Sequence, residues 1–184
     1  MRPAPPSPAD VINFWFSAEA RPNWFAKSEA FDEAMRARFE WPYALARDGA
    51  LEDWREMPAS ALALVILLDQ VPRNIYRGTA QAFATDDKAL AIAEDAVARG
   101  FDAHLGEEER VFLYMPFMHA ENLAAQDRGV ALYEALDRPE NLDYMRRHRD
   151  VIVRFGRFPH RNAVLGRDST PEELDFLKLP GSSF

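Results

Sequence analysis

The sequence predicts an all-α protein, and three observations carry that reading. Helix-start signals recur along the chain, each a Ser or Thr cap followed closely by proline or an acid. Apolar residues return at spacings of three and four. No stretch shows a convincing strand pattern of alternating apolar and polar residues.

Taken in order, Ser7-Pro8-Ala9-Asp10 opens the first helix, with Ser as cap, Pro at the first helical position and Val11, Phe14 and Trp15 on the apolar face. Ser28-Glu29 opens the second, along which Phe31, Met35 and Phe39 recur at every fourth residue, and Pro42 is expected to disturb its end. Asp48-Gly49 turns the chain. From Pro58 to about Leu68 nearly every position is apolar, as in a helix packed on all sides. Thr85-Asp86-Asp87 is expected to cap the next helix, which ends at Gly100. Glu107-Glu108-Glu109 then starts a long stretch through Phe112, Met115 and Leu123, kinked at Pro116. A further helix is expected over about Asn141 to Phe155. Irregular chain marked by Gly156, Pro159 and Gly166 follows, and Thr170-Pro171-Glu172-Glu173 is a capping box for a short last helix.

The chain has 184 residues, the size of one ordinary domain, expected over 1–184. Apolar residues make up 48% and aromatics 12%, including 13 Phe and 4 Trp, enough for a sizeable core without staples. The aromatic group Phe14, Trp15, Phe16, Trp24 and Phe25 is read as core first and as an inter-subunit contact second. Cysteine is absent, which excludes disulfides and thiolate chemistry. The start, Met1-Arg2-Pro3-Ala4-Pro5-Pro6-Ser7-Pro8, lacks the apolar stretch of a signal peptide, and no run is long enough to span a bilayer, so a cytoplasmic location with no membrane partner is expected.

Net charge is −8, which opposes binding to nucleic acid, and none is expected as a partner. Arg154, Phe155, Arg157, Phe158 and Arg161 do interleave basic and aromatic residues as single-strand binders do, but a Phe-rich stretch is first of all core. The charge is unevenly spread: Arg146 to Arg167 holds seven Arg against Asp150 alone, a local +6 that leaves −14 for the rest. Arg outnumbers Lys 19 to 3, a bias suited to planar pairing with carboxylate or phosphate.

Three blocks stand out: Leu67-Leu68-Asp69-Gln70-Val71-Pro72-Arg73-Asn74-Ile75-Tyr76-Arg77-Gly78, Tyr114-Met115-Pro116-Phe117-Met118-His119-Ala120-Glu121, and Arg154-Phe155-Gly156-Arg157-Phe158-Pro159-His160-Arg161-Asn162. With Phe14-Trp15-Phe16 and Trp24-Phe25 they resemble the bacterial family catalogued as domain of unknown function 924, over nearly the whole chain. The resemblance implies a fold similar to tetratricopeptide repeats, antiparallel helical hairpins stacked in a right-handed superhelix. It implies no activity and no catalytic residues. The chain lacks the 34-residue period of true tetratricopeptide sequences.

The first and third blocks echo one another, Pro72-Arg73-Asn74 with Arg77-Gly78 against Pro159-His160-Arg161-Asn162 with Gly166-Arg167. If these two irregular segments meet, Arg73, Asn74, Arg77, Arg157, Arg161 and Asn162 gather donors around one point, a geometry suited to a small carboxylate or phosphate ligand. The alternative is a structural clasp, in which these side chains satisfy helix-end carbonyls and pair with Asp69, Glu121 or Asp150.

His119, Asn122 and Gln126 share one helical stripe if the helix continues past Pro116, and His119 then reads either as a general acid or base oriented by the two amides or as a hydrogen-bonded core histidine. His160 is the second candidate to move a proton. His148 shares a face with Val151, Ile152 and Phe155 and is expected to be packed, and His104 to lie in a loop. No cofactor motif occurs and no metal is expected, with His119, Glu121 and His160 the one trio worth testing. Three readings of function stay open: a helical scaffold holding a small anionic ligand, an enzyme acting on a small anionic substrate through a histidine, and an interaction module that binds a protein partner in a helical groove.

Overall fold

The computed structural model describes residues 6–184, and every regular element among them is helical. Met1 to Pro5, most of the proline-rich start, lies outside the described residues. No helix among the described residues is long and apolar enough to cross a membrane. The chain sorts into two compact units, the first comprising residues 6–77 and Gln81–Pro116, the second Gly78–Ala80 and Phe117–Phe184.

The first unit holds helices α1 (Pro8–Trp15), α2 (Glu29–Arg47), α3 (Pro58–Val65), α4 (Val71–Ile75), α5 (Asp86–Ala98) and most of α6 (Glu107–His119). At α1 Ser7 caps the helix as the sequence predicts, and Asp10 completes a capping box: the Asp10 N–H donates to Ser7 Oγ at 3.2 Å and the Ser7 N–H to Asp10 Oδ2 at 2.8 Å. α2 runs five residues past Pro42 rather than ending there. Proline removes one helical N–H, the one aimed at the Arg38 carbonyl, while the buried stripe Phe31, Met35, Phe39, Tyr43 and Ala46 continues across it. That stripe outweighs a single missing bond.

Beneath α1 and α5 lies the apolar helix α3, which passes without a break through a π turn, Ile66–Gln70, into α4. The turn widens just before Pro72, whose ring and missing N–H are incompatible with an uninterrupted α-helical ladder. The carbonyl of Leu68, which Pro72 cannot serve, accepts instead from Thr85 Oγ1 at 2.6 Å. Two expectations are corrected here. Thr85 does not cap α5 with its side chain, because its hydroxyl is spent on Leu68. Arg73 and Asn74 stand on a helix, α4, and not on irregular chain.

Trp15, Trp24 and Phe112 form the aromatic centre of this unit, with ring centroids 5.4 Å apart for Trp15 and Phe112 and 4.7 Å for Trp24 and Phe112. Trp24 Nε1 donates to the Trp15 carbonyl at 2.8 Å. Phe25 stacks parallel to Phe112 yet is mostly exposed.

The second unit contains the end of α6, α7 (Leu123–Ala135), α8 (Pro139–Phe155) and α9 (Pro171–Phe176). α6 stops at His119, so the long helix expected through Leu123 is two helices. Asn122 takes an extended conformation and caps α7, its Oδ1 accepting from the Ala125 N–H at 3.0 Å. Gln126, fully buried, donates from Nε2 to the carbonyls of Met118 and Ala120 at 2.7 and 2.8 Å, satisfying the end of α6. Both amides serve the chain reversal, so the expected stripe of His119, Asn122 and Gln126 is not formed.

α7 and α8 pair through a short connection in which Asp137 adopts a left-handed conformation, φ 52°. Gly129 permits their close approach: a Cβ there would lie 2.8 Å from Met145 Sδ and 3.0 Å from Phe117 Cβ. Gly129→Ala is therefore expected to destabilise the protein by about 1–3 kcal/mol, the usual range for overpacking. Urea denaturation checks this, and a loss of stability below about 0.5 kcal/mol would mean that Met145 moves aside freely. α9 opens with the predicted capping box: the Glu173 N–H donates to Thr170 Oγ1 at 3.2 Å, and the Thr170 N–H to Glu173 Oε2 at 2.8 Å.

Candidate functional site

The polar residues singled out in the sequence fall into two sets, one in each unit. In the first, Arg73 lies between two carboxylates. Its Nη1 donates to Asp86 Oδ1 at 2.8 Å, to Asp69 Oδ1 at 3.3 Å and to the Asp69 carbonyl at 2.9 Å, and its Nη2 to Asp86 Oδ2 at 2.9 Å. Burial works against its charge, but Asp86 and Asp69 more than compensate and raise its pKa.

Asn74 Nδ2 donates to Asp32 Oδ1 at 2.8 Å, and Arg77 grips the same carboxylate through Nε and Nη2 at 2.8 and 2.9 Å. Burial opposes the charge on Asp32. The hydrogen bonds from Arg77 and Asn74, with the charges of Arg77 and Arg36, outweigh it and hold the carboxyl below its usual range. Asp32 and Asp86 were not singled out in the sequence as partners. Asp32 sits in the first turn of α2 and Asp86 at the start of α5, where an acid is explained locally by the helix dipole.

In the second unit the cationic run from Arg146 to Arg167 meets acids that lie elsewhere along the chain. Arg146 pairs with Glu134, Arg147 with Asp143, Arg149 with Asp127, Arg154 with Glu172, Arg157 with Glu173 and Arg167 with Glu121, at 2.5 to 2.8 Å. Glu173 draws several donors together. It accepts from Arg157 Nε and Nη2 at 2.7 and 2.9 Å, from the Thr170 N–H, and from Asn162 Nδ2 at 3.3 Å. The Arg157 hydrogen bond is the largest influence and overrides burial, so that the carboxyl falls to about 2.

Asn162 Nδ2 also donates to Ser169 Oγ at 3.0 Å. Glu121 accepts from Arg167 Nη1 and Nη2 at 2.7 and 2.9 Å and from the Phe158 N–H at 2.7 Å. Burial acts to raise its pKa, but the Arg167 and Phe158 hydrogen bonds and the nearby Arg161 hold it low.

Arg161 is buried and differently placed. Its Nη2 donates to the carbonyl of His119 at 3.0 Å, and its guanidinium lies over the ring of Phe158, 4.6 Å from the centroid. Two imidazoles flank Phe158, and a third lies beside one of them. His148 is 5.6 Å from it and His160 5.8 Å, centroid to centroid, and His119 is 6.3 Å from His148. His148, expected to be packed beside Val151 and Ile152, is buried there. Its Nδ1 lies 2.7 Å from the Tyr144 carbonyl and so carries the proton of the neutral ring.

Burial first, and then His119, Arg161 and His160, push the His148 pKa down to about 3. The site therefore places one neutral imidazole beside two further imidazoles and the Arg161 guanidinium. Phe184 completes it, its ring centroid 3.8 Å from that of His148. The sequence carried no signal for His148 or Phe184 as members, since proximity to His119 and His160 arises only from folding. Among the described residues no group of three or more His, Asp or Glu is arranged to hold a metal ion.

Residues 11–181 match the model of a family described as "Bacterial protein of unknown function (DUF924)". A solved structure of a protein of unknown function, ATU0120 from Agrobacterium tumefaciens, is similar to this chain at 44% sequence identity and a TM-score of 0.88, covering 93% of this chain and 96% of its own. No curated protein matches.

Proposed function

This chain belongs to the bacterial family of unknown function DUF924, and from that premise we propose that its second unit binds a small anionic ligand through His119, His160 and Arg161. The observation that supports the reading is the convergence of His148, His160 and Arg161 around Phe158, with His119 beside His148 and His148 driven neutral. A carboxylate or phosphate is the ligand chemistry that imidazole and guanidinium N–H groups gathered in this way suit. Asp69, Arg73, Asn74 and Arg77 are set aside from the ligand because their hydrogen bonds run between one another and to Asp32 and Asp86. Glu121, Arg157 and Asn162 contribute as the frame, through Arg167, Glu173 and Ser169.

A thermal-shift screen of small carboxylates and phosphates on the wild type, Arg161→Ala and His160→Gln tests this. A ligand at 100 times its Kd adds about 2.7 kcal/mol by mass action, a rise of several degrees for a chain of this size. The rise should vanish in Arg161→Ala and shrink in His160→Gln. No shift with any compound, or a shift that both variants retain in full, would remove the site.

A further inference from the structure

The place of Phe184 says more about that ligand. Its ring lies 3.8 Å from His148, centroid to centroid, tilted by 31°. Two further rings meet it nearly edge-on, His160 at 5.9 Å and 71° and Phe158 at 6.0 Å and 73°. Offset stacking on one face with edge contacts at the sides is the arrangement that a flat apolar ring seeks. A neutral His148 serves as such a face, where a charged one would demand water.

Yet the ring is only partly enclosed, 44% of Phe184 remaining exposed. It is carried by a short segment after α9 that turns at Gly181, φ 75°, and is held by the Ser182 hydroxyl donating to the Leu177 carbonyl at 3.1 Å. A ring so placed covers the histidine cluster without being part of the core.

We infer that Phe184 occupies the ligand's own ring position and must leave for the ligand to bind, so that the ligand is an aromatic carboxylate: a flat ring against His148 and Phe158, with its anionic group toward His160 and Arg161. This rests on the anion site proposed above and adds the ring and the competition. Binding then includes displacement of an intramolecular occupant, and the apparent affinity is the intrinsic one reduced by the fraction of molecules with the slot open.

Titrations of benzoate, cyclohexanecarboxylate and acetate into the wild type, Phe184→Ala, Phe184→Leu and Arg161→Ala test the inference, with circular dichroism melts to confirm folding. Benzoate should bind Phe184→Ala about 5-fold or more tighter than the wild type, because the competing ring is gone. Phe184→Leu should fall between them, acetate should show no such gain, and Arg161→Ala should weaken every anion. Benzoate binding that is unchanged or weaker in Phe184→Ala, while Arg161-dependent anion binding persists, overturns the displacement and leaves the anion site standing. Equal binding of benzoate and cyclohexanecarboxylate overturns the flat-ring requirement. If no anion binds any of the four proteins, both proposals fall together.

Discussion

Glu173→Gln is expected to lower stability at neutral pH by about 2–3 kcal/mol, a fall in Tm of roughly 4–12 °C. Glu173 is buried, and its carboxylate is the common acceptor for Arg157, Asn162 and the first turn of α9. The amide keeps the shape but has one acceptor oxygen where the carboxylate has two, and it leaves the Arg157 guanidinium without its counter-charge. Arg157 retains part of its surface in water, which holds the cost to the lower end for a broken ion pair.

The sign of the pH dependence follows from the lowered carboxyl, 4.5 ordinarily and about 2 in the folded protein. The stabilisation is complete above 4.5 and is lost as pH falls toward 2. Urea denaturation at pH 6 and pH 3 should therefore show the gap between wild type and Glu173→Gln narrowing in acid. A gap that stays constant would mean that shape, not charge, anchors α9.

Arg73→Ala should cost more, about 3–5 kcal/mol, because it removes the cation from two carboxylates at once. Asp69 is fully buried and the Asp86 side chain nearly so, and both are held by the same guanidinium. Adding Asp69→Asn and Asp86→Asn to Arg73→Ala should recover a substantial part of the loss, since neutral amides need no counter-charge. Anion binding in the second unit should be unaffected by all of these changes. A cost under about 1 kcal/mol, or no recovery in the triple variant, would show that the buried acids find sufficient support from other neighbours.

The Ser7 cap and the capping box Thr170–Glu173 were readable because every participant lies within four residues. The break between α6 and α7 was not. Asn122 was visible as a residue type favoured at caps, but the apolar spacing from Phe112 to Leu123 suggested continuity, and only the closure of Gln126 onto Met118 and Ala120 distinguishes two helices from one. The π turn before Pro72 was hidden for a similar reason. Whether proline ends a helix or is accommodated depends on what serves the freed carbonyl, and Thr85, the residue that does so, is 17 positions away from Leu68.

The site divides along the same line. Arg and Asn at Pro72-Arg73-Asn74 and Pro159-His160-Arg161-Asn162 drew notice as a pattern, while their carboxylate partners Asp32, Asp86 and Glu173 had local explanations that concealed a long-range role. By itself the sequence determined the all-helical class, most helix starts and the apolar faces, because these depend on backbone caps and on spacings within one or two turns. Tertiary structure alone decided which guanidinium meets which acid, and that His119, His148, His160 and Phe184 share one place. Those outcomes depend on the desolvation of charged and aromatic groups brought together across tens of residues, and neither spacing nor propensity encodes that.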